Sequence, residues 1–135
     1  MTETIATLMH RGVQAVGIDD SVASVESFLR EKALTWVPVT DDQGTVIGVI
    51  SCSDLLLFHA QQRDAADVPA WQLCSYKPVV VGPQASLPEV AREMVQRRIH
   101  HVVVADREQV LGVVSAMDFV AHCARAGSAM DPAGR

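Results

Sequence analysis

The chain predicts a mixed α/β (α+β) fold: two copies of one β-α-β-β-α unit, packed about a pseudo-twofold axis. Three observations carry this. The segment Thr45-Val46-Ile47-Gly48-Val49-Ile50-Ser51-Cys52-Ser53-Asp54-Leu55 returns as Gln109-Val110-Leu111-Gly112-Val113-Val114-Ser115-Ala116-Met117-Asp118-Phe119. Upstream, at a shift of 65 residues, Ser21-Val22 meets Ser86-Leu87, Leu29 meets Met94, Leu34 meets Ile99 and Val37-Pro38-Val39 meets Val102-Val103-Val104. Self-similarity at a fixed shift marks a repeat architecture. Three short strands per unit bury too little surface to stand alone, so the units are expected to pack sheet on sheet. Beyond the hairpin turn the shift becomes 64, because Asp41-Asp42-Gln43-Gly44-Thr45 is one residue longer than Asp106-Arg107-Glu108-Gln109, and a loop absorbs such a change most easily.

The elements follow in order. Val13 to Val16 reads as a short strand. Ser21 is an N-cap for a helix from Val22 to Ala33 that carries Val22, Val25, Phe28 and Leu29 on one face. Thr35 to Thr40 and Val46 to Ile50 are strands joined at the Asp41–Gly44 cluster, where Gly44 accepts a positive φ. A last helix runs from about Asp54 to Gln62. The second copy repeats this with strand Val79 to Val81, helix Leu87 to Arg98, strands His101 to Val104 and Val110 to Val114, and a helix from Asp118 to about Ala126. Ser86 and Glu89 have capping-box spacing, and Pro88 sits in the tolerant first turn. The units are bounded as residues 8–62 and 73–126. A linker occupies 63–72, with a short helix starting near Pro69, and a disordered tail occupies 127–135.

Composition bounds the function. Lys and Arg number 11 against 16 Asp and Glu, a net charge of −5, which argues against a broad surface for DNA or RNA. No stretch approaches the roughly 18 to 20 apolar residues that cross a bilayer, and Met1-Thr2-Glu3-Thr4 lacks the basic start of a signal peptide, so the expected location is the cytoplasm. Cys52, Cys74 and Cys123 lie among apolar residues without paired spacing, as buried reduced thiols do; thiol-linked control through them is a weaker reading. No nucleophile elbow, phosphate loop or metal-binding helix is present, so neither catalysis nor a metal site is expected. Leu55-Leu56-Leu57-Phe58 and Phe119-Val120-Ala121 are apolar around more than one helix face. One face serves the core, and the other suggests a homodimer.

The tandem order, the segments Leu34–Asp41 and Ile99–Asp106, and the Gly-h-h-Ser-x-x-Asp ending of both copies resemble a pair of cystathionine-β-synthase-type (CBS) domains, the Bateman module, over roughly residues 8 to 126. The resemblance implies clefts between the two sheets that take adenosine-containing ligands such as AMP, ADP, ATP or S-adenosylmethionine. It implies that Ser51, Asp54, Ser115 and Asp118 contact ribose, an ionised carboxylate being able to accept from both vicinal hydroxyls. The same Ser-x-x-Asp is also an ordinary helix cap, and that reading stands beside the first. His100 and His101 occupy positions where nucleotide-binding members often place His or Arg against phosphate, with Arg98 just upstream and Lys77 near the start of the second unit; their first-copy counterparts, Thr35 and Trp36, carry no charge. Packing or a solvated edge is the alternative for the histidines, and a helix-dipole role for Arg98. Where the family often has glycine, this chain has Ala33 and Arg98, and the proline kept as Pro38 is Val103 in the second copy. The expected function is a stand-alone CBS-pair sensor that binds one adenosyl ligand at the Asp118 side and signals through dimer or partner rearrangement. The alternative is a ligand-free dimeric interaction module.

Overall fold

A computed structural model of the chain describes residues 3–12, 14–76, 78–107 and 109–126. Lys77, Val13 at the expected start of the first strand, and the expected disordered tail at 127–135 lie outside the described residues. Two compact units are present. One is Gln14–Pro78, and the other joins the N-terminal segment to the chain from Val79 onward. Among the described residues no helix is long and apolar enough to cross a membrane.

The first of these units contains β1 (Val16–Gly17), α1 (Val22–Lys32), β2 (Trp36–Thr40), β3 (Val46–Ser51), α2 (Cys52–Ala60), a single helical turn α3 (Ala70–Leu73) and β4 (Ser75–Tyr76). Its sheet has the order β1-β2-β3-β4, with β1 parallel to β2 and the other pairs antiparallel. Ser21 caps α1 by accepting from the Ser24 amide at 3.1 Å, and the helix buries Val22, Val25 and Leu29 against Val37, Val39, Ile50 and Phe58. Residues 63–72, expected as a linker, run along this unit. The Val22 amide donates to the Val68 carbonyl at 2.8 Å, the Ala70 amide donates to that of Asp20 at 2.7 Å, and Val68 and Ala70 are buried in the core.

The second unit contains a 3₁₀ turn at Ile5–Thr7, β5 (Val80–Val81), α4 (Leu87–Arg97), β6 (His101–Asp106), β7 (Gln109–Ser115) and α5 (Ala116–Ala126), with sheet order β5-β6-β7. Ser86 makes its half of the expected capping box, accepting from the Glu89 amide at 3.3 Å. Leu87, Val90 and Met94 of α4 pack on Val102, Val104, Val114 and Phe119. Residues 5–9, of which Leu8 and Met9 were expected in the first unit, belong to this core, because Ile5, Leu8 and Met9 are buried in it and the Ile5 amide donates to the Ala85 carbonyl at 2.8 Å.

Each hairpin is therefore closed on its outer edge by a segment from before its own repeat or after it. In the first unit β4 lies beside β3, pairing Ser75 with Val49 and Tyr76 with Gly48. In the second, His10 bridges Val113, its amide donating to the Val113 carbonyl at 2.9 Å and its carbonyl accepting from the Val113 amide at 3.3 Å. Glycine makes the approach close. A Cβ on Gly48 would lie 2.7 Å from the Ser75 carbonyl oxygen, and one on Gly112 would lie 2.8 Å from that of His10. Both obstacles are backbone and cannot swing aside.

Both α1 and α4 end on a left-handed residue, Ala33 and Arg98, each at φ 55° and ψ 44°. That conformation explains the glycine often found there, since the turn needs positive φ and a Cβ strains it. Two predictions follow for urea unfolding. Gly48→Ala and Gly112→Ala each lower stability by about 1–3 kcal/mol through overpacking against backbone, whereas the exposed Ala33→Gly raises it by about 0.5–1 kcal/mol as the left-handed strain is relieved.

Candidate functional site

The terminal helices begin two residues earlier than the sequence suggests, because the serine at the end of each preceding strand is the cap. Ser51 accepts from the Asp54 amide, while the Asp54 carboxylate accepts from the Ser51 amide at 2.8 Å and its hydroxyl at 3.0 Å, a full capping box. At the second copy the Ser115 hydroxyl accepts from the Asp118 amide at 3.2 Å, and Asp118 Oδ2 accepts from the Ser115 amide at 2.7 Å. The cap reading of Ser-x-x-Asp is thus realised twice. It does not exhaust a carboxylate, which has about four acceptor positions, and both aspartates remain half-buried at a strand–helix corner.

Strand pairing brings one phosphate candidate, His101, to the same corner. Trp36 lies opposite Ser51, and His101 lies opposite Ser115. The carbonyls of Thr35 and His100 accept from the first amides of α2 and α5, at 3.0 and 2.8 Å. Because Val102 and Val104 face the core, alternation puts His101 on the other face of the strand. Burial lowers the His101 pKa, His100 reinforces the effect and Asp118 opposes it, which favours the neutral imidazole. His100 is exposed, and with Arg98 it borders a groove of about 460 Å³ between α4 and α5, floored by Met94, Ile99, Ala116 and Phe119. The neighbouring Arg97 pairs with Glu93 at 3.1 Å along α4.

One residue of the corner escaped the sequence reading. His10 Nε2 stands 2.7 Å from Asp118 Oδ1, so the imidazole and the Ser115 cap together occupy both carboxylate oxygens. Burial pushes the Asp118 pKa up, but the hydrogen bonds from His10 and Ser115 outweigh it and leave it below the ordinary 3.8. The signal was present in the repeat. The shift of 65 that aligns Leu8-Met9 with Leu73-Cys74 also aligns His10 with Ser75, the residue paired beside Asp54's strand.

The cysteines correct an expectation. Only Cys74 is buried, and burial raises its pKa; Cys123 is half-buried, and Cys52, the first residue of α2, is exposed. The terminal helices do carry a second apolar face: Leu56 and Leu57 are 74 % and 61 % exposed on α2, and Met117 and Val120 are 68 % and 59 % exposed on α5. Among the described residues no group of three or more His, Cys, Asp or Glu is placed to hold a metal ion.

Comparison with known proteins places this geometry. The CBS domain family matches the chain twice, at residues 5–60 and 67–125. Hypoxic response protein 1 of Mycobacterium tuberculosis is 22 % identical over 120 residues, spanning 88 % of this chain and 84 % of that protein. Among solved structures, CBSX2 in complex with AMP superposes with a TM-score of 0.82 at 23 % identity, covering 92 % of this chain and 98 % of that one. A hexameric CBS-CP12 protein from bloom-forming cyanobacteria gives 0.84 at 21 % identity, covering 98 % and 78 %.

The Asp118 bonds have a pH signature. A carboxylate whose folded pKa is depressed contributes stability that is fully present above its unfolded value and is lost as pH falls through the folded one. Urea midpoints of the wild type therefore fall as the pH drops below 3.8, and Asp118→Asn is expected to flatten that acid limb while lowering stability near neutrality by about 1 kcal/mol, the usual worth of a cap.

Proposed function

Because the chain belongs to the CBS domain family, we propose that it is a non-catalytic regulatory module that binds an adenine nucleotide or another adenosyl compound at the Asp118 corner. The observation that carries this is the asymmetry of the two corners. Both copies keep a half-buried carboxylate beside a serine hydroxyl at a helix start, which suits a ribose diol. Only the second adds His100, His101 and Arg98, so only there does a phosphate meet donors and cationic charge. AMP in the related CBSX2 structure supports the ligand class. Ser51 and Asp54 form the corresponding sugar corner of the first copy, without phosphate partners.

Signalling follows from differential affinity. A ligand that engages α5 and β6 favours one arrangement of the surfaces those elements present, by no more than its difference in affinity for the two states. The surface is apolar: Val95 and Val120 stand exposed at the groove between α4 and α5, and Met117 is exposed elsewhere on α5, which suits a second copy of this chain. That the structurally similar CBS-CP12 protein is hexameric supports self-association. The same patches favour a second reading, a ligand-free dimeric interaction module that docks a regulated protein.

A thermal-shift screen with AMP, ADP, ATP and S-adenosylmethionine separates the two. At a hundredfold excess over Kd, ligand adds about 2.7 kcal/mol to folded-state stability. At least one compound is expected to raise Tm, an effect lost in Asp118→Ala and kept in Asp54→Ala. A flat response to all four favours the interaction module. Under either reading Val120→Glu is expected to shift the protein from dimer to monomer in sedimentation velocity.

A further inference from the structure

We infer that His10 is a side-chain latch on the second site: its imidazole holds the carboxylate oxygen of Asp118 that a ribose diol would use, and ligand enters by displacing it. The inference rests on the adenosyl-binding reading and adds to it a residue from the N-terminal segment. His10 is placed by its backbone. Ile5, Leu8 and Met9 on the preceding turn are buried, and the His10 amide and carbonyl both bond to Val113, so the segment stays put when the ring moves. The ring itself is loosely held, with the side chain 68 % exposed and, among the described residues, a single partner, Asp118 Oδ1 at 2.7 Å.

The chemistry of exchange is balanced in hydrogen bonds. Asp118 Oδ2 already accepts from the Ser115 amide at 2.7 Å, so with the imidazole gone Oδ1 is the oxygen with the greater acceptor capacity left for a vicinal diol. The imidazole gives Oδ1 one N–H, whereas a diol gives the carboxylate two O–H donors, and the freed ring is hydrated at once because it already stands mostly in water. An exposed pair of this kind is a weak competitor. The latch therefore tunes affinity rather than blocking the site. In the first copy Ser75 occupies the position of His10 beside β3 and presents a hydroxyl on a one-carbon stem in place of an imidazole.

AMP is the probe. Dissociation constants are measured for wild type, His10→Ala and His10→Gln, and the His10 ring is followed by imidazole nitrogen NMR in the wild type and in Asp118→Asn. Removing the competitor is expected to tighten AMP binding about three- to fivefold in His10→Ala, the scale of a weak exposed ion pair, while Gln, which can still donate, gives a smaller gain. Added AMP is expected to move the wild-type His10 signal to the position it holds in ligand-free Asp118→Asn. Equal or weaker binding by His10→Ala overturns the latch, as does a His10 signal that AMP leaves in place while it binds. If neither wild type nor His10→Ala binds AMP, the adenosyl-binding reading fails and the latch falls with it, although the ligand-free spectra still report the His10–Asp118 pair.

Discussion

The close approach of an outside strand to a glycine is the contact on which the rest of this chain depends. Gly48 and Gly112 each sit mid-strand with backbone of another segment where their Cβ would be. Two bare positions let Cys74-Ser75 and Met9-His10 lie flat against β3 and β7 and hydrogen-bond along them. Apolar residues of those segments then enter the core: Val68, Ala70 and Cys74 in one unit, Ile5, Leu8 and Met9 in the other. A hairpin with helices on one side is short of apolar cover. The borrowed segments supply it, and they do so by reaching outside the boundaries of the repeat.

The same contact sets the chemistry of the corners. Duplication delivered two like devices, a serine that ends a strand and an aspartate that opens the following helix, tied in reciprocal hydrogen bonds. Both helix starts share those two bonds, to which the first adds a bond from the Ser51 hydroxyl to the carboxylate. The difference comes from what the neighbouring strands bring: Trp36 and Ser75 beside Asp54, His101 and His10 beside Asp118. A structural cap and a ligand-binding carboxylate are compatible uses of one side chain, because the cap draws on part of its acceptor capacity.

Most of the fold was legible because it is periodic. The repeat aligned the strands and helices, the apolar spacing of Val22, Val25 and Leu29 named the buried face of α1, and the Ser86 and Ser21 caps placed helix starts to the residue. What could not be read is local and aperiodic. Strand β4 is two exposed residues, Ser75 and Tyr76, with no alternation to detect, and the turn at Ile5–Thr7 is too short for a period. The left-handed ends at Ala33 and Arg98 were masked by the absence of the glycine that signals them. The His10–Asp118 contact spans more than a hundred residues and becomes visible only when the first residues are carried through the repeat alignment.

Asymmetry between two copies of one corner is the central claim, and the stoichiometry of AMP binding by isothermal titration calorimetry tests it most directly. One AMP per chain is the expected result, since in the proposed reading only the second corner joins a ribose acceptor to phosphate partners. Two equivalent sites per chain would contradict it, showing that the imidazoles and Arg98 do not decide where the nucleotide goes, and an absence of binding would contradict the assignment of the corner itself.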